Sequence, residues 1–161
     1  MVEVDVQGLA NCREISKREF RRNSGVPLTY LPFVVQATSQ ALKEYSLLNG
    51  TWGGDYILLN KNIHIGIAVS SPHGLIVPVI HNADTMSITE LAVRIYALVK
   101  AARLGKLRLD EVQGGTFTVN NTGTLGSIIS VPIINYPQSA ILTSEAIVKR
   151  PVVIKDTIVI R

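Results

Sequence analysis

The chain has 161 residues, 47% of them apolar and only 17% charged, and carries a net charge of +4 at neutral pH. That length suits one domain with a sizeable core, and so little charge means a large core or a surface partly covered by other subunits. No run of about 18 apolar residues is free of charge, which excludes a membrane-spanning helix, and the scattered basic residues, not interleaved with aromatics, argue against nucleic acid as a partner.

From the first residues onward, Val2-Glu3-Val4-Asp5-Val6 alternates apolar and acidic side chains and predicts a half-buried strand. Glu3 and Asp5 also break any signal-peptide pattern. Residues from about Leu9 to Phe20 are charged and predict an exposed helix, stopped by Gly25 and Pro27. That helix carries the lone cysteine, Cys12, which excludes an internal disulfide and a cysteine-based metal cluster and fits a reducing, cytoplasmic compartment. A second helix is predicted from Pro32 to Tyr45, with Phe33, Val34, Ala37, Ala41 and Tyr45 as its apolar face. Turn signals follow at Asn49-Gly50 and Gly53-Gly54.

Strands are predicted over Tyr56 to Leu59, Ile63 to Val69 and Leu75 to Ile80. Within the second, His64, Gly66 and Ala68 share one face, leaving room for a close neighbour or a ligand. Pro78 marks the third as an edge or a bulge. Ser87-Ile88-Thr89-Glu90 fits a capping box and opens a helix whose apolar spacing runs from Ile88 to Ala102, with Gly105 as its stop. The segment from Gly114 to Ser144 then runs for thirty-one residues without a charge, which is rare for a solvated surface. Two short strands with a turn near Lys155-Asp156 close the chain. This mixture predicts an α/β or α+β fold with a substantial sheet, as a single domain over residues 1–161.

No phosphate-binding glycine loop, nucleophile elbow or metal-ligand spacing occurs, and His64, His73 and His81 have no acidic partners at helical spacing. Asn120-Asn121-Thr122-Gly123 is the most suggestive stretch. Carboxamide donors there can stabilise an oxyanion in a water-poor site; the same residues are also ordinary turn chemistry.

Five blocks in order carry a family resemblance. Gly114 to Ser127 (Gly-Gly-Thr-Phe-Thr-Val-Asn-Asn-Thr-Gly-Thr-Leu-Gly-Ser) resembles the signature strand and turn of the dihydrolipoamide acyltransferases of 2-oxo acid dehydrogenase complexes. Pro132 to Leu142, Ile63 to Ile80 with Asn82-Ala83-Asp84, Leu31-Pro32-Phe33 and Val2 to Val6 supply the other four. The wording from Thr118 to Gly123, with Val148-Lys149-Arg150-Pro151-Val152-Val153, resembles the branched-chain-type enzymes of Gram-positive bacteria most.

The resemblance implies a fold like that of chloramphenicol acetyltransferase. It implies homotrimers that build a cubic or dodecahedral core, with active sites between subunits. Coenzyme A is the implied substrate on one side, and an acyl-lipoyl group carried on a separate domain is the other. Decarboxylase and dihydrolipoamide dehydrogenase components are implied partners through regions outside this chain. In the family a histidine in an Asp-His-Arg-x-x-Asp-Gly motif takes the thiol proton, and a Ser or Thr donates to the tetrahedral oxyanion. Asn120 stands at that Ser/Thr position and is the expected catalytic donor, with Asn121, Gly123, Ser127 and Ser130 as expected substrate-binding residues. The histidine motif does not occur in residues 1–161, and the family's opening helix is also missing before Met1. The chain therefore reads as a catalytic domain without its start and its base, inactive alone. Two other readings stay open: a catalytically silent core scaffold, and a chloramphenicol-type acetyltransferase.

Overall fold

The computed structural model describes all residues, 1–161. Residues 2–6 form no strand. They have no sheet partner, and all but the half-buried Val6 are exposed. Their alternation serves charge instead, with Glu3 paired to Arg150 and Asp5 to Arg161 at 3.3 Å. Asp5 Oδ1 also accepts the Gln7 N–H at 2.8 Å, satisfying a free amide at the start of helix α1 (Gln7–Ser24). Gly25 ends that helix in the left-handed conformation, φ 74°, its N–H donating to the Arg21 carbonyl. None of the residues of α1 is buried, as the charged sequence predicts. It is tied down by Arg13, whose Nε donates to the Leu28 carbonyl at 2.9 Å and whose guanidinium lies over Tyr30.

Helix α2 (Leu31–Glu44) buries Pro32, Val35, Thr38, Ser39 and Leu42. The face expected from Phe33, Val34, Ala37, Ala41 and Tyr45 is thus displaced by about one residue of helical rotation. Thr38 and Ser39 look polar in sequence, but their hydroxyls donate to the Val34 and Val35 carbonyls at 2.8 Å. Satisfied in this way, they enter the core at little cost. Phe33, Val34, Ala37 and Ala41 instead line an open apolar hollow with Val6, Leu9 and Leu142, and Tyr45 is exposed.

A hairpin follows, β1 (Gly50–Trp52) against β2 (Ile57–Leu59), turning through Gly53-Gly54. The single strand expected over 63–69 is two: β3 (Ile65–Ile67) and β4 (Val69–Ser71). They part because Ile67 N–H turns to the Pro78 carbonyl while Ala68 N–H turns to that of Val119. The expected strand over 75–80 divides likewise into β5 (Gly74–Ile76), paired with β4, and β6 (Val79–Ile80), with Pro78 between them. β6 is an edge strand, where a neighbouring proline is tolerated.

Helix α3 (Ile88–Arg103) starts on the predicted capping box: Glu90 N–H donates to Ser87 Oγ, and Ser87 N–H to Glu90 Oε2 at 2.7 Å. β7 (Phe117–Asn121) and β8 (Ile141–Ser144) come from the uncharged segment, and β9 (Pro151–Ile154) and β10 (Thr157–Ile160) form the closing hairpin over Lys155-Asp156. Both turn residues have positive φ, 48° and 60°, as such two-residue connections require.

The central sheet has the order β6-β3-β7-β8, with β3, β7 and β8 mutually parallel. Ile65, Ile67, Phe117 and Val119 project from one face into the core, where they meet Val35 and Leu42 of α2 and Leu91, Ile95 and Leu98 of α3. Gly66 and Thr118, at alternate positions, occupy the opposite face. A Cβ on Gly66 would stand 2.7 Å from Val77 Cγ1, so the small residue there accommodates a close neighbour rather than a ligand. No helix is long and apolar enough to cross a membrane.

Candidate active site

In open sheets with parallel strands, ligands gather outside the carboxyl ends of those strands. Here β3, β7 and β8 place Ile67, Asn120-Asn121 and Ser144 at that end. Thr118 is 1% exposed and donates to Gln138 Oε1 at 2.6 Å, while Gln138 Nε2 donates to the Gly115 carbonyl at 3.0 Å. The face shared by Thr118 and Asn120 is therefore closed at Thr118 and opens at Asn120, which is half-buried.

Asn120 pairs in register with Thr143, and Asn121 with Ser144. Neither carboxamide joins the side-chain hydrogen bonds of this strand end, which run instead through Thr122, Thr124, Ser127 and Ser130. Thr143 Oγ1, on the same face as Asn120, is buried without a hydrogen-bond partner. Such a group is costly in a folded chain and points to a strained or ligand-facing position.

The turn after Asn121 is fastened to the end of β8. Thr122 N–H donates to the Ser144 carbonyl at 3.1 Å and Ala146 N–H to the Ser127 carbonyl at 2.9 Å. Glu145 takes the Thr122 hydroxyl on Oε2 at 2.7 Å and the Ser130 hydroxyl on Oε1. Those two hydroxyls, Ser130 first, hold its carboxyl below the usual carboxylate range. Ser127 Oγ donates to the Ile129 carbonyl at 3.1 Å. Asn120, Asn121, Gly123, Ser127 and Ser130 are thus brought to one end of the sheet. The protons of the two serine hydroxyls are spent on the Ile129 carbonyl and on Glu145, and their oxygens are left to accept. Gly123 is small because of space: a Cβ there would lie 2.3 Å from the Glu145 carbonyl oxygen.

Sequence reading missed Glu145 and Thr143. The available signal for Glu145 was its place as the first charge after the uncharged run. From Gly126 to Ala140 that run has no helix or strand, and it exposes Ile128, Ile129, Val131, Ile133 and Tyr136. These apolar side chains meet solvent in the single chain.

His64 and His81 sit at the other end of the sheet. His64 lies beside Thr116, about 13 Å from Asn120 along β7, at roughly 3.3 Å per strand residue. The His64 and His81 rings meet edge to face at 4.8 Å. His64 Nδ1 accepts the Asn82 N–H at 2.9 Å, and His81 Nε2 contacts the Asp110 carbonyl. Burial, with a smaller push from His81, lowers the His64 pKa, against the pull of Asp84. A depressed folded-state pKa means that the unfolded chain binds the proton first. The contribution of His64 to stability is therefore present above the unfolded value, about 6.5, and lost as pH falls below it. The urea midpoint is expected to drop between pH 7.5 and pH 5.5, and less steeply in His64→Asn.

The sequence matches the family described as 2-oxoacid dehydrogenases acyltransferase (catalytic domain) over residues 1–161. It is 51% identical over 156 residues to the lipoamide acyltransferase component of the branched-chain alpha-keto acid dehydrogenase complex of Bacillus subtilis, covering 97% of this chain and 37% of that protein. A probable dihydrolipoamide acetyltransferase from Listeria monocytogenes superposes with a TM-score of 0.97 at 51% identity, over 99% of this chain and 68% of that one. The cubic core of the pyruvate dehydrogenase multienzyme complex superposes with a TM-score of 0.94 at 35% identity, over 98% and 65%. The fold is accordingly that of the chloramphenicol-acetyltransferase-like acyltransferase cores, and the chain spans little more than a third of the Bacillus protein's length. With the family match running over the whole of residues 1–161, the chain belongs to the family of 2-oxoacid dehydrogenase acyltransferase catalytic domains.

Proposed function

We propose that this domain serves a dihydrolipoamide acyltransferase, moving an acyl group between a lipoyl arm and coenzyme A in a 2-oxo acid dehydrogenase complex. The observation that carries the reading is the Asn120 carboxamide, unpaired at the carboxyl end of β7 and beside the orphaned Thr143 hydroxyl.

The chemistry asks for two things. A thiol of pKa near 8.5 is only a few per cent thiolate at neutral pH, so a base must take its proton. The thiolate sulfur of coenzyme A then attacks the thioester carbonyl carbon. The carbonyl electrons move onto oxygen, and their return expels the dihydrolipoyl thiolate, which takes up the proton. Asn120 Nδ2 donates to the oxygen while it is negative, a service worth about 3 kcal/mol for one well-aimed donor. The histidine motif that the family uses for the base does not occur in residues 1–161, and His64, about 13 Å from Asn120 along β7, is out of proton-transfer reach of it within one subunit.

The apolar side chains exposed from Ile128 to Tyr136 support a trimer in which a neighbouring subunit covers this loop and completes a channel. Coenzyme A and the lipoyl arm enter that channel from opposite sides, and the trimers join a larger core in the cytoplasm. Asn121 and the Ser127 and Ser130 oxygens line the substrate path, and Gly123 keeps the turn tight against β8. The test is the full-length protein with dihydrolipoamide and acetyl-, succinyl- or isobutyryl-coenzyme A. Transfer with one of the three is expected, and absence of transfer with all three leaves the scaffold reading.

A further inference from the structure

Glu145 is the first charged residue after Glu111, yet it forms no ion pair with the chain's basic groups. Its two carboxylate oxygens each take one hydroxyl, from Thr122 and from Ser130. Those residues bracket the loop that follows Asn120 and Asn121. Two backbone bonds, Thr122 N–H to the Ser144 carbonyl and Ala146 N–H to the Ser127 carbonyl, flank the carboxylate on either side. A Cβ added at Gly123 would collide with the Glu145 backbone, so the loop lies close against the end of β8.

We propose that Glu145 is a positioning residue for acyl transfer: its carboxylate clamps the loop 122–130 to the end of β8 and so fixes where the Asn120 carboxamide stands. The inference rests on the acyl-transfer reading above and adds a residue to it. An ionised carboxylate only accepts, so both hydroxyls must point at it, and bonds to a charged acceptor are the stronger kind. One side chain thereby fixes two hydroxyls at opposite ends of the loop. Asn120 itself has no bond that would locate its carboxamide, so its aim depends on the backbone between β7 and this loop. Small displacements of a catalytic group cost rate steeply, about a hundredfold for 1 Å.

The predicted effect follows from what each substitution leaves behind. Glu145→Ala removes both acceptors, and kcat is expected to fall about tenfold with the KM for coenzyme A within about twofold. Glu145→Gln keeps one oxygen acceptor and recovers part of the loss. Ser130→Ala lowers kcat in the wild-type background but costs nothing further on Glu145→Ala, because the two act as one unit. The measurement is made on the full-length protein, alongside hydrogen exchange of the backbone amides. Exchange in 122–130 is expected to quicken in Glu145→Ala while that of α3 stays unchanged. A kcat within twofold of wild type for Glu145→Ala, additive losses with Ser130→Ala, or equal quickening of α3 and the loop overturns the clamp. If the wild-type protein transfers no acyl group, the functional reading fails instead, and the exchange comparison still decides whether Glu145 holds the loop.

Discussion

Asn120→Ala is expected to lower kcat of the full-length protein by about ten- to a thousandfold, leaving the KM for coenzyme A and the thermal midpoint nearly unchanged. The upper figure is that of a well-aimed oxyanion donor. An interaction made only in the transition state lowers turnover without weakening ground-state binding. The carboxamide takes no part in the hydrogen bonds that hold the turn, which run through Thr122, Ser127 and Ser130, so alanine removes no structural bond. Asn120→Ser returns a hydroxyl donor to the same strand position and is expected to recover more activity than alanine. If Asn120 held the turn instead, alanine and serine would be equally poor and the midpoint would fall with the rate. Steady-state kinetics with thermal unfolding of both variants separates the two, and an unchanged kcat in Asn120→Ala removes the residue from the mechanism.

Gly123→Ala is the second large effect, and its signature differs. The added Cβ meets the Glu145 carbonyl oxygen at 2.3 Å, its carbon at 2.4 Å and Ala146 N at 2.7 Å. All three are backbone atoms, so no side chain can swing aside, and the loop must lift from β8. Overpacking of this kind costs about 1–3 kcal/mol, and each kcal/mol moves the midpoint by about 2–4 °C for a domain of this size. A loss of several degrees together with about a hundredfold in kcat is expected. Rate and midpoint fall together here, whereas Asn120→Ala moves the rate alone. An alanine variant with wild-type midpoint and kcat would mean that the turn is not held against Glu145.

Where local chemistry alone decides, the sequence could be read directly. The Ser87–Glu90 box and the Lys155-Asp156 turn each depend on residues within three positions of one another, and the structure has both. The family blocks led to Asn120 and to the strand end that holds it. Where a partner decides, the reading went astray. Residues 2–6 alternate like a strand but find arginines more than 140 residues away rather than a sheet neighbour. On α2, periodicity ranked Ala37 and Ala41 above Ser39, because a hydroxyl that bonds its own helix looks the same in sequence as one that needs water. Glu145 escaped notice for a similar reason: only the parallel pairing of β7 with β8 sets a carboxylate beside the Thr122 and Ser130 hydroxyls.

That parallel arrangement also has a bearing on how the domain comes into being. Ile65 pairs with Phe117 and Asn120 with Thr143, so the strand end carrying the site draws on stretches of chain far apart in sequence. Closing such long loops before any contact rewards them slows folding. During synthesis, Asn120 leaves the ribosome well before Thr143 and Glu145 do. The site's neighbours therefore arrive later, and for that interval β7 has one unpaired edge. A chain halted between Gly123 and Ile141 would carry every residue from Asn120 to Gly123 and still lack the β8 backbone against which that turn is held.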